Sequence, residues 1–157
     1  MQDSNQDQYT IVLRIKLDNL SLALKKLAQV FSSIESETSI SLVEPQIINR
    51  LLGMANSLKE LKSLDENEGE IFVVFLKNIA GVIQSIGILL ERKVQLNSEQ
   101  SLKILKAFRN LEDQTKELLP LIVAIDEQRK EHNFESFGGL LQKVIDTIQE
   151  KRHFIMR

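Results

Sequence analysis

The chain has 157 residues with 22 acidic against 20 basic side chains, no cysteine, two prolines, six glycines and only eight aromatics, none of them tryptophan. That length fits one domain able to bury a core without covalent staples. The missing cysteines exclude disulfides, thiolate metal sites and a cysteine nucleophile, and a net charge of −2 argues against a dedicated nucleic-acid binder, which carries a basic excess on one face.

Few chain breakers and few aromatics suit helices better than sheets. The N-terminus, MQDSNQDQYT, lacks the basic region followed by an apolar core that marks a secretory signal, so the expected location is cytoplasmic. Residues 1–9 read as a polar tail and residues 10–157 as a single helical-bundle domain.

The first apolar series is Leu13, Leu17, Leu20, Leu24, Leu27, Phe31 and Ile34. Its 4-3-4-3-4-3 spacing puts all seven on one helical face and predicts a helix from about Thr10 to Ile34. Tyr9, Ile11, Leu13, Ile15 and Leu17 also alternate with period two, a competing signal for a short strand. The helix is favoured because its series continues well past Leu17. Residues Glu35 to Val43 read as a loop.

Pro45 suits a first helical position, where its missing N–H would have no partner anyway. Ile47, Leu51, Met54, Leu58 and Leu61 then predict a second helix over about 45–63. Asp65 to Gly69 is a charged break. The third helix, about 70–94, contains the most apolar stretch of the chain, Ile71 to Leu90. Its only polar residues are Lys77, Asn78, Gln84 and Ser85. They recur after seven residues, in columns that extend to Glu70 and Glu91 on one side and Arg92 on the other. Such a seam marks a bundle helix with one thin wet edge.

Asn97 and Ser98 are candidate caps for a fourth helix, with Ile104, Phe108, Leu111, Thr115, Leu118, Ile122 and Ile125 along its stripe. Pro120 removes one hydrogen bond and crowds the Lys116 carbonyl. The apolar phase survives across it, which favours one kinked helix over about 98–131. Glu131 to Glu135 reads as a connector. Ser136 caps a last helix, about 136–154, with Leu140, Leu141, Val144, Ile145 and Ile148 inward. Gly138 and Gly139 weaken its first turn unless they permit close approach to a neighbour.

Site chemistry is sparse. Glu150 and His153 have the i, i+3 spacing of one half of a di-iron carboxylate motif, but His132 is preceded at that spacing by Arg129, so the second half is missing. A solvated last turn is the plainer reading. Phosphate-cradling glycine loops and nucleophile or zinc motifs are absent from the sequence. Gly81 and Gly87 fall inside the third helix, where close packing against a crossing helix is the ordinary compensation for their cost of about 1 kcal/mol each. Lys77 is favoured as a snorkelling lysine over a buried base. Thr115 is favoured as a hydroxyl bonded to the preceding turn over a nucleophile. Lys103, Lys106 and Arg109 share a face, with Glu112 just beyond. Lys151, Arg152, His153 and Arg157 gather at the end of the chain, with Phe154 the one aromatic among them. Without aromatics interleaved for base stacking, neither cluster points to nucleic acid.

The expected fold is therefore all-α, a mostly antiparallel bundle of about five helices with a highly apolar central helix (70–94). The expected role is a non-catalytic module for protein–protein interaction or self-association through helical faces. Catalytic, cofactor-binding and metal-binding residues: none is assigned, and no small-molecule substrate is inferred. The alternative is a membrane-acting bundle that releases its central helix into a bilayer. Twenty helical residues span about 30 Å, although Lys77 at mid-span costs roughly 3 kcal/mol on insertion.

Overall fold

The computed structural model describes residues 2–38, 45–61, 64, 66–91, 96–128 and 136–155. They form five helices: α1 (Gln2–Thr38), α2 (Pro45–Glu60), α3 (Glu66–Glu91), α4 (Ser98–Gln128) and α5 (Phe137–Ile155). The fold is the all-α bundle that the apolar stripes predict, and residues 9–17 are helical, not a strand.

The helix ends differ from the periodicity in instructive ways. α1 begins at Gln2, eight residues before its apolar stripe requires, because no glycine or proline stops it. α3 begins at Glu66 inside the charged stretch expected to be a break. Acidic residues in a first turn complement the unpaired N–H groups there, so this charge favours a helix start. The loop expected over Glu35 to Val43 is helical as far as Thr38, because the apolar stripe that ends at Ile34 is followed by no glycine or proline before Pro45. The rest of that loop, the expected connector at 131–135 and the expected ends of the second, third and fourth helices at 61–63, 92–94 and 129–131 fall wholly or mainly outside the described residues.

Long-range contacts fix the helix directions. The Ser21 hydroxyl donates to the Ala55 carbonyl at 2.6 Å and Arg14 Nη1 to the Leu61 carbonyl at 2.7 Å, so α1 and α2 run antiparallel. The second bond also satisfies an orphan carbonyl at the end of α2. Lys16 lies 4.0 Å from Glu117, and residues 26–33 flank residues 103–110, so α1 and α4 are antiparallel. α4 and α5 are antiparallel too, joined by Glu112 with Arg152 near one end and Asp126 with Phe137 at the other. Phe72 meets Phe137 and Gly87 meets Lys151, so α3 and α5 run parallel.

The helices thus alternate in direction along the chain but pack in the order α1, α2, α3, α5, α4 and back to α1. α5 lies between α3 and α4. One continuous core joins Leu17, Leu24 and Phe31 of α1 to Leu51 of α2, Phe72 and Ile83 of α3, Phe108 and Leu111 of α4 and Leu141 of α5. α3 forms one wall of this ring. It buries Phe72, Leu76, Ile79, Val82, Ile83 and Ile86 but leaves Ile71, Val74 and Ile88 exposed, so the helix expected at the centre packs on α2 and α5 and is sheltered on one side. The polar columns predicted as a wet edge, from Glu70 and Lys77 through Gln84 to Glu91, are exposed.

The predicted caps form. Asn97 and Gln100 exchange side-chain and backbone hydrogen bonds, the Gln100 N–H donating to Asn97 Oδ1 at 2.8 Å and the Asn97 N–H to Gln100 Oε1 at 3.1 Å, a capping box at the start of α4. Ser136 Oγ accepts from the Gly139 N–H at 3.0 Å. α5 has a second cap from another helix: Asp126 of α4 accepts from the Phe137 and Gly138 N–H groups at 3.0 and 2.7 Å. A Cβ at Gly138 would meet that carboxylate at 3.1 Å, so close approach does explain this glycine. α4 continues through Pro120 as one helix.

Candidate functional site

Three places hold polar or uncovered groups that the bundle itself had to arrange. The first is a charged node between α4 and α5. The Glu112 side chain is 4% exposed, with Lys116 Nζ 2.7 Å from Oε2 and Arg152 Nη1 2.9 Å from Oε1. Gln149 donates its amide to Oε2 at 3.3 Å. The Arg152 contact is an ion pair without hydrogen-bond alignment, so Oε1 accepts no formal hydrogen bond. Burial pushes the Glu112 carboxyl up. The hydrogen bonds from Lys116 and Gln149 and the charges of Arg152 and Lys116 outweigh that and hold it below its ordinary 4.5. A carboxylate kept ionised by three partners is poorly matched to proton transfer near neutrality. It is well matched to clasping two helices.

The second place is an open groove of about 450 Å³ between α1 and α4. Lys26, Gln29, Val30 and Ser33 line it from α1, and Lys103, Lys106, Ala107 and Asn110 from α4. Lys103 also lies 3.7 Å from Glu99. On the adjoining α1–α2 seam, Lys25 sits close enough to Lys59 for hydrogen-bonding reach and mutual repulsion, which together with some desolvation lower its pKa.

The third is the outer face of α3. Ile71, Val74 and Ile88 are 53%, 57% and 45% exposed. Between them lies Gly81, where an added Cβ would find nothing within 4 Å. Gly87 differs: a Cβ there would overlap the stem of Lys151, with Cγ at 2.6 Å. Close packing therefore accounts for Gly87 within the bundle and leaves Gly81 without an intramolecular reason.

The residues singled out in the sequence separate accordingly. Lys77 is exposed, as a snorkelling lysine would be. Thr115 Oγ1 donates to the Leu111 carbonyl at 2.5 Å, the bond to the preceding turn. Lys103 and Lys106 enter the groove, whereas Arg109 does not line it. Arg152 leaves the terminal cluster to join Glu112, while Glu150 and His153 are exposed. His132 and Arg157 lie outside the described residues. Among the described residues no three histidines or carboxylates gather as a metal site would need. Lys26 is absent from the sequence reading, and Glu112 enters it only as the acid just beyond a basic face. Glu112 reads as one more acid on a charged helix, and Lys26 gains meaning only beside residues far away in the chain. The chain matches no family model, no curated protein and no solved structure.

Proposed function

We propose that this chain is a non-catalytic helical interaction module that docks, on a second copy or on a partner helix, through the outer face of α3. The supporting observation is Gly81, placed in open space between the exposed Val74 and Ile88. A glycine in a helix interior costs about 1 kcal/mol relative to alanine. Among the described residues nothing packs within 4 Å of a Cβ at this position, whereas a helix crossing close to the backbone would offset the cost.

The test exploits a matched pair. Gly53 on α2 is equally uncrowded, with nothing within 4 Å of an added Cβ. Gly53→Ala and Gly81→Ala should each stabilise the isolated chain by up to about 1 kcal/mol. Only Gly81→Ala should also weaken association measured by sedimentation velocity or against a purified partner. Val74→Glu should abolish association. A strictly monomeric chain that retains no partner, or association indifferent to Val74→Glu and Gly81→Ala, sinks the reading.

A second reading draws on the same helix. Among the described residues, Glu68–Glu91 is the one segment long and apolar enough to cross a membrane, and 44% of its most apolar window is buried. A bundle that releases α3 into lipid would leak dye from liposomes, and Gly81→Asp should suppress that leakage. Absence of leakage at every pH and lipid composition removes this alternative.

A further inference from the structure

The groove between α1 and α4 lies across the ring from α3, so its chemistry is independent of the docking face. Its lining brings cations from two helices to one opening: Lys26 from α1, Lys103 and Lys106 from α4. Gln29, Ser33 and Asn110 add neutral hydrogen-bonding groups, and Val30 and Ala107 supply apolar wall. Among the described residues no carboxylate lines it, although Glu99 engages Lys103 nearby. Ala107 and Ser33 are small, which keeps the two helices from closing the space with side chains.

Size and shape restrict the occupant. The lining covers residues 26–33 and 103–110, about 10 Å of each helix. About 450 Å³ falls within the range of small-molecule sites. A docked helix would need a longer apolar trough. A nucleic-acid strand would need a longer track and stacking aromatics, and among the described residues no aromatic lines the groove. Lysines act as mobile point charges suited to phosphate oxygens, and three of them exceed what one carboxylate can neutralise.

We propose that the α1–α4 groove binds a compact, multiply phosphorylated ligand, either free in solution or borne as the headgroup of a lipid.

Pyrophosphate and lipid vesicles are the probes. In the isotope-labelled full chain, pyrophosphate should shift the amide resonances of residues 26–33 and 103–110 together. Lys106→Glu, and independently Lys26→Glu on the other helix, should weaken binding roughly tenfold each. Ser33→Leu should weaken it as well, by filling the groove without changing charge. Lys143→Glu makes the same charge change on the exposed flank of α5 and should have no effect. Phosphatidylcholine vesicles with and without a phosphatidylinositol bisphosphate then distinguish the sources. Selective binding to the phosphorylated vesicles assigns a headgroup, and pyrophosphate binding without vesicle binding assigns a free ligand. The proposal is overturned if neither probe binds, if Lys143→Glu weakens binding as much as Lys106→Glu, if Ser33→Leu has no effect, or if single-stranded RNA competes more strongly than pyrophosphate.

Discussion

Phe137→Ala should destabilise the chain by about 4 kcal/mol and lower its melting temperature by roughly 10 °C. The ring is fully buried at the first residue of α5. It meets Phe72 edge-on at 5.4 Å with planes 80° apart, and Phe72 in turn stacks on Phe75. One turn before Phe72 on the same helix, Gly69 gives the ring room, since a Cβ there would lie 3.1 Å from it. Truncation removes the transfer free energy of the ring and leaves a cavity between two helices whose backbones are already held by Asp126 and by the α3–α5 contact. A site whose walls are held in place by α4 and α3 relaxes little, which puts the cost toward the high end. Phe137→Leu should recover more than half of the loss. Urea unfolding followed by circular dichroism measures both variants, and a loss under about 1 kcal/mol for alanine would exclude this packing.

Removal of Arg152 should cost about 2 kcal/mol. Breaking a fully buried ion pair by removing one partner costs roughly 3–5 kcal/mol. Here Lys116 stays with Glu112 and the Arg152 side chain is 28% exposed, so the smaller figure applies. Arg152→Ala leaves Glu112 buried with half its charge compensation. Glu112→Leu should be milder, because Lys116 is 48% exposed and both cations can turn toward water.

The same node sets a pH dependence. The carboxyl of Glu112 titrates lower in the folded chain than its ordinary 4.5. The unfolded chain therefore binds the proton more readily in that window, and stability rises with pH across it. The contribution is fully present above about 4.5 and fades as pH falls through the lower folded value. The stability difference between the wild type and Glu112→Gln should accordingly be largest near neutrality and shrink below pH 4.5. A gap that widens on acidification would contradict the assignment.

Much of the architecture is readable without coordinates because it is local. A 4-3 spacing on α1, α2 and α4 states which residues share a face, and those faces are the buried ones. Asn97 with Gln100 and Ser136 with Gly139 are capping contacts three residues apart. Thr115 bonds four residues back. The wet edge of α3 follows from a repeat of seven within one segment. Each of these depends on the geometry of a single helix.

The helix order around the ring, α5 between α3 and α4, follows from no single segment. Several amphipathic helices of similar period can pair in more than one order, since each stripe specifies a buried face but not its neighbour. Only the assembled bundle distinguishes Gly87, roofed by Lys151, from Gly81 in open space. It also turns Glu112 inward by supplying Arg152 and Gln149 from 40 and 37 residues away. Lys26 shares a groove with Lys103 and Lys106 for the same reason. The sequence by itself determined the helices, their caps and their inward faces, because those are fixed by hydrogen bonds and periodicity within a few residues. The tertiary structure decided the groove, the buried clasp and the uncovered face, because each depends on which amphipathic rods lie side by side.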